Sequence, residues 1–125
     1  MPPDFVLFID ENHCNNRRVL SVLQERGVAY ERYLDHFQRG MADSEWLPII
    51  GQRGWALLTT DRRIRYHNIE KQAVRENNVQ MFCFSTNKMN GQEMAEALDK
   101  GLAKILQIAE QTPPPFIAMI TSGSK

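Results

Sequence analysis

The chain has 125 residues, 42% hydrophobic and 24% charged, a usage that excludes a disordered segment or a disulfide scaffold and suits one compact domain. Its 15 lysines and arginines balance 15 acids, so no molecule-wide field attracts nucleic acid, and any such contact needs a local basic patch. The two cysteines, Cys14 and Cys83, share no metal-binding spacing and read as unpaired thiols of a reducing compartment. The opening residues carry no basic stretch, and their apolar run is too short for a leader or a membrane span. The expected setting is therefore the cytoplasm, without membrane association.

Phe5 to Ile9 is an unbroken apolar run that stops at Asp10, the pattern of a parallel strand buried on both faces. Val19, Leu20 and Leu23 then recur at helical spacing, with Gly27 placed to end that helix, and Val28 to Tyr33 reads as a second strand. Residues 34–42 hold no period and form an irregular connection. Asp43 or Ser44 can cap a short helix through Trp46, Leu47, Ile49 and Ile50, with Glu45 in its first turn. Pro48 is comfortable only near the start of such a helix, and Gly51 and Gly54 are expected to end it. Trp55 to Thr60 is another apolar strand, and it runs straight into Asp61, repeating the arrangement at Asp10.

A helix is expected around Ile69, Ala73 and Val74, and a fourth strand over residues 79–84, followed by a polar loop to Asn90. Residues 92–110 carry Met94, Ala97, Leu98, Leu102, Ile105, Leu106 and Ala109 on one stripe that should cover the sheet. Thr112 to Pro115 stops this helix, Phe116 to Ile120 offers a last strand, and residues 121–125 read as a flexible tail. The expected organisation is a single domain over residues 1–120. Alternating strands and helices imply right-handed crossovers and a mainly parallel sheet covered on both faces.

In such sheets ligands gather beyond the carboxyl ends of the strands, where Asp10 and Asp61 both belong. A hard cation such as Mg²⁺ or Mn²⁺ takes oxygen donors, with one or two carboxylates plus water and phosphate. Asp10, Asp61 and a third acid, Asp43 or Glu45, would suffice. Such an ion can deprotonate water and neutralise charge developing on a phosphodiester.

Three motifs then carry a resemblance: residues 8–12 (Phe-Ile-Asp-Glu-Asn) after the first strand, Asp43-Ser44-Glu45-Trp46-Leu47, and residues 57–64 around Thr59-Thr60-Asp61. In order and strand context they resemble the PIN-like nuclease family, especially its short branch with the VapC-type toxin domains, over nearly the whole chain. The resemblance implies a three-layer α/β domain with helices flanking the sheet, and metal-dependent endoribonuclease activity. RNA would be the substrate, with an antitoxin protein and a second copy of the chain as partners. Asp10 matches the family's first metal-site aspartate, Asp61 the aspartate of its Thr-x-Asp motif, and Thr59 that motif's threonine. Asp43 fits the acid of the middle motif, with Glu45 as the alternative.

Larger PIN domains often carry a further acid after the Thr-x-Asp motif; here Arg62, Arg63 and Arg65 stand instead. Those arginines can grip phosphates or form a solvated loop. Their presence keeps open a noncatalytic nucleic-acid-binding or regulatory module. A receiver-like signalling domain is a third reading, disfavoured by the Thr-x-Asp pattern and the lack of a typical lysine context. Glu11 and Asn12 are supporting candidates, as a solvated acid or turn former, or in orienting a metal-bound water. His13, His36 and His67 lack metal-binding spacing and are assigned no role. Cys83 is expected in the core, and Cys14 has no catalytic partner in the sequence.

Overall fold

The computed structural model describes residues 5–11, 13–60, 68–84 and 89–120. Five strands form one sheet: β1 (Val6–Ile9), β2 (Ala29–Arg32), β3 (Ala56–Thr59), β4 (Gln80–Phe84) and β5 (Phe116–Ile120). Their order is β2-β1-β3-β4-β5, and every pairing is parallel. Between them run α1 (Arg17–Glu25), α2 (Asp43–Arg53), α3 (Asn68–Glu76) and α4 (Gly91–Gln111), with a 3₁₀ turn at Tyr33–Asp35. The expected three-layer α/β architecture is what forms. The proposed tail, residues 121–125, lies outside the described residues.

The central strands are apolar up to Thr59 at the end of β3 because both faces are covered: Leu7, Phe8 and Ile9 of β1 and Ala56, Leu57 and Leu58 of β3 are all buried. Phe8 is packed by four rings, those of Tyr33, Phe37, Trp46 and Trp55, with centroids 5.8 to 6.2 Å away. Burying such aromatic area is the main local source of stability, at roughly 25 cal/mol per Å² removed from water. Trp55 precedes β3 and joins this cluster rather than the strand itself.

The helix ends are specified by short polar side chains. Asn16 caps α1 by accepting the N–H groups of Arg18 and Val19, and Gly27 follows with φ +69°, a conformation glycine adopts at little cost. Asn90 opens α4 in a reciprocal capping box with Glu93. Each bond satisfies an amide that the helix geometry would otherwise leave without a partner.

Helix α2 departs from expectation in three ways. Ala42 occupies the cap, and Asp43 is the first helical residue. Pro48 lies in the interior, where the Ser44 carbonyl loses its usual N–H donor; Ser44 is exposed, which keeps that loss from being buried. Gly51 does not end the helix. It lies inside it because a Cβ there would sit 2.1 Å from the Asn77 carbonyl oxygen, and Gly54, with φ +71°, makes the stop.

The crossovers also differ from expectation. Helix α1 packs against α4, and α2 against α3, so α1 and α4 share one face of the sheet. The step from β1 to β2 and the step from β4 to β5 run in opposite directions across the sheet. With their helices on the same face, the two crossovers must have opposite hands, against the strong general preference for one hand. Uniform handedness would leave α1 alone on its face, with three helices on the other. Placing α4 beside α1 covers β4 and β5 on that side and buries Met94, Ala97, Leu98, Leu102 and Ile105. The exposed Arg26–Asp99 ion pair (2.7 Å) along this seam contributes little beside that apolar burial.

Candidate functional site

The register of β1 and β3 builds the site. Ile9 pairs with Leu58, and the Asp10 N–H donates to the Leu58 carbonyl at 3.2 Å, one rung beyond the strand. Asp10 therefore lies across from Thr59 at the carboxyl edge, two residues before Asp61. The two strands that lead into these aspartates are direct neighbours.

Asp10 is buried, at 5% exposure, as are Thr59 and Thr60. A carboxylate removed from water this way needs donors around it. The Thr59 hydroxyl donates to Asp10 Oδ2 at 2.5 Å, and the His13 backbone N–H donates to Oδ1 at 3.1 Å. Both oxygens are thereby fixed in direction.

A second bond ties the strand ends together. His13 Nε2 and Thr60 Oγ1 share a hydrogen bond of 2.6 Å. Burial pushes the His13 pKa below its ordinary value, which favours the neutral ring. His13 thus belongs to the site after all, through Asp10 and Thr60 rather than as a member of a metal-ligand motif. Its position three residues after Asp10, in the turn closed by the His13 N–H on the Asp10 carbonyl (3.2 Å), was the available signal. Thr60 carried none beyond its place beside Thr59.

Glu11 is engaged elsewhere: both its carboxylate oxygens lie 3.1 Å from the Gly40 N–H, in the connection that leads to α2. Glu45 is exposed in the first turn of α2. Asp61, Asn12, Arg62, Arg63 and Arg65 lie outside the described residues, as does the side chain of Asp43. Among the described residues no three His, Cys, Asp or Glu side chains gather as a metal cage. The donor chemistry at Asp10 nevertheless suits a hard cation, since a buried, oriented carboxylate oxygen is the preferred ligand type.

Other candidates resolve as structural. His36 bonds Glu31 at 2.7 Å and packs on the Trp55 ring, Cys83 is buried in β4, and the buried Cys14 thiol donates to the Glu11 carbonyl at 3.5 Å. No helix among the described residues is long and apolar enough to cross a membrane.

Comparison with known proteins follows the same motifs. A family model described as "PIN like domain" matches residues 5–86, the stretch from β1 through β4 that includes Asp10, Asp43, Thr59 and Asp61. A Mycobacterium tuberculosis protein named "Putative ribonuclease VapC45" is 24% identical over 127 residues, covering 94% of this chain and 91% of that protein. No solved structure matches the chain.

Proposed function

We propose that this chain, which belongs to the PIN-like domain family, is a divalent-metal-dependent ribonuclease of the toxin type that hydrolyses RNA phosphodiester bonds. The observation that carries this reading is the buried Asp10 carboxylate held by Thr59 across the β1/β3 pairing, two residues before Asp61. The name of the Mycobacterium relative supports RNA as substrate, and the resemblance to VapC-type toxin domains supports an antitoxin protein as partner.

In this reading Asp10, Asp61 and Asp43 hold Mg²⁺ or Mn²⁺. The bound ion would supply a water made acidic enough to attack phosphorus, and charge to offset that building on the phosphate oxygens. The protein's own tasks are positional. Thr59 and the His13 amide aim Asp10, the His13–Thr60 bond holds the end of β3 beside the end of β1, and Arg62, Arg63 and Arg65 grip flanking phosphates. Cys14 and Cys83, both buried and not joined in a disulfide, support an intracellular setting. The replacement of a further acid by those arginines favours a second reading, a PIN-like module that binds RNA without cutting it.

RNA cleavage by wild type, Asp10→Asn and Asp61→Asn, with Mg²⁺ and Mn²⁺ supplied separately and folding followed on the same samples, tests the proposal. Each substitution preserves size and removes a ligand's charge, so both should abolish cleavage while leaving the fold intact. Asp43→Asn should be as damaging, and Glu45→Gln nearly neutral; the reverse pattern makes Glu45 the third ligand. Robust metal-dependent cleavage by both Asp10→Asn and Asp61→Asn would sink the mechanism. A folded but inactive wild type that binds RNA would favour the binding module.

A further inference from the structure

We infer that Glu11 is a positioning residue that ties the start of α2 to the carboxyl end of β1, and that it is not itself a cation ligand. The inference rests on the metal-site reading above. Glu11 follows Asp10 directly, so as an acid next to the first site aspartate it invites assignment to the ion. Its carboxylate is instead committed to a backbone amide, with both oxygens 3.1 Å from the Gly40 N–H.

Both ends of this contact are written into the chain. Gly40 stands at φ +78°, a conformation that glycine reaches without the penalty other residues meet. Glu11 lies in the turn that the His13 N–H closes on the Asp10 carbonyl, so it is held in place with Asp10. The connection to α2 is pinned at two points. Tyr33, buried in the 3₁₀ turn that follows β2, donates its hydroxyl to the Gln38 carbonyl at 2.7 Å, and Glu11 takes Gly40 two residues later.

Helix α2 begins three residues after Gly40, at Asp43. At about 3.5 Å per residue, Asp43 is tethered within roughly 10 Å of the clamp. The Glu11–Gly40 contact therefore shortens the reach between the third proposed acid and Asp10. An anionic acceptor strengthens the amide bond, yet only one oxygen acceptor is needed to hold Gly40. Glutamine can supply that acceptor but not the charge that a hard cation takes.

The test uses wild type, Glu11→Gln and Glu11→Ala with two readouts: amide exchange at Gly40 in the metal-free protein, and Mn²⁺ affinity by titration without RNA. Glu11→Gln should keep Gly40 protected and bind Mn²⁺ close to wild type. Glu11→Ala should expose the Gly40 amide and weaken Mn²⁺ binding by roughly tenfold, the usual cost of losing a group that orients a metal site. If Glu11→Gln protects Gly40 but loses Mn²⁺ as severely as Glu11→Ala, Glu11 is a ligand and the inference is overturned. Unchanged exchange and affinity in Glu11→Ala also overturn it. A wild type that binds no Mn²⁺ defeats the metal-site reading, while exchange at Gly40 still decides whether the clamp exists.

Discussion

Asp10 is held by donors that belong to different parts of the chain: the His13 amide three residues on and the Thr59 hydroxyl from the neighbouring strand. His13 adds a titratable link in the same network. Its pKa is lowered by burial, so the folded protein resists protonation of this ring more than the unfolded chain, whose value is near 6.5. Above that value both states hold a neutral ring, and the His13–Thr60 contact contributes in full. As pH falls below about 6.5, the unfolded state takes up protons first, so stability declines until the folded-state pKa is passed. Denaturant unfolding of the metal-free protein at pH 7.5 and 5.5 checks this: wild type should lose more stability across the interval than His13→Gln, whose side chain does not titrate. Equal losses would remove His13 as a source of acid sensitivity. The place of Asp10 at the carboxyl end of β1 was legible in the sequence because an apolar run ending in Asp marks a strand's end; Asp61 follows the same pattern but lies outside the described residues. The pairing of His13 with Thr60 was not, since it spans 47 residues and exists only through the β1/β3 register.

At the scale of elements, the contact between α2 and α3 depends on a missing side chain. Replacing a helical glycine by alanine ordinarily gains up to about 1 kcal/mol. At Gly51 the new Cβ would meet the Asn77 carbonyl oxygen at 2.1 Å, and that oxygen is backbone, just past the end of α3. The helices must separate, and overpacking of this kind typically costs about 1–3 kcal/mol. Gly51→Ala should therefore lower the melting temperature by several degrees, measured by circular dichroism; an unchanged or raised value would mean that α2 and α3 are not closely packed. The sequence showed a glycine at this place but not its use, because a stop and a close approach call for the same residue. All five strands, by contrast, were readable within a residue or two, four of them as apolar runs and β2, at the sheet edge with Glu31 and Arg32, by its place between Gly27 and the irregular connection. What pattern could not supply was the partner of each face, and hence the hand of the last crossover.

For the molecule as a whole, equal numbers of acids and bases mean that the proposed RNA affinity would come from a local patch. Replacing Arg62, Arg63 and Arg65 together by alanine should weaken RNA binding and flatten its dependence on salt. If all three hold phosphates, the slope of log K against log salt should fall by roughly 2, given about 0.7 per contact on a single strand. An unchanged slope and affinity would assign them to a solvated loop. The affinity series should be run on Asp10→Asn protein, in which the proposed reading expects no cleavage to consume the ligand.

The shared face of α1 and α4 bears on how the chain reaches this structure. Val19 and Leu23 of α1 are synthesised early, yet the helix that packs beside them starts only at Gly91. On the ribosome, at about 5–20 residues per second, that surface waits several seconds for its cover. Contacts so distant along the chain carry a loop-closure cost before they return any stability, which slows folding and delays its completion. The stretch that matches the family ends at residue 86, before α4 begins, so it holds the site motifs without the last piece of their support. A nascent chain released there would carry the β1/β3 edge that holds Asp10 on an unclosed layer, and the complete fold would come into being only once its final helix had docked.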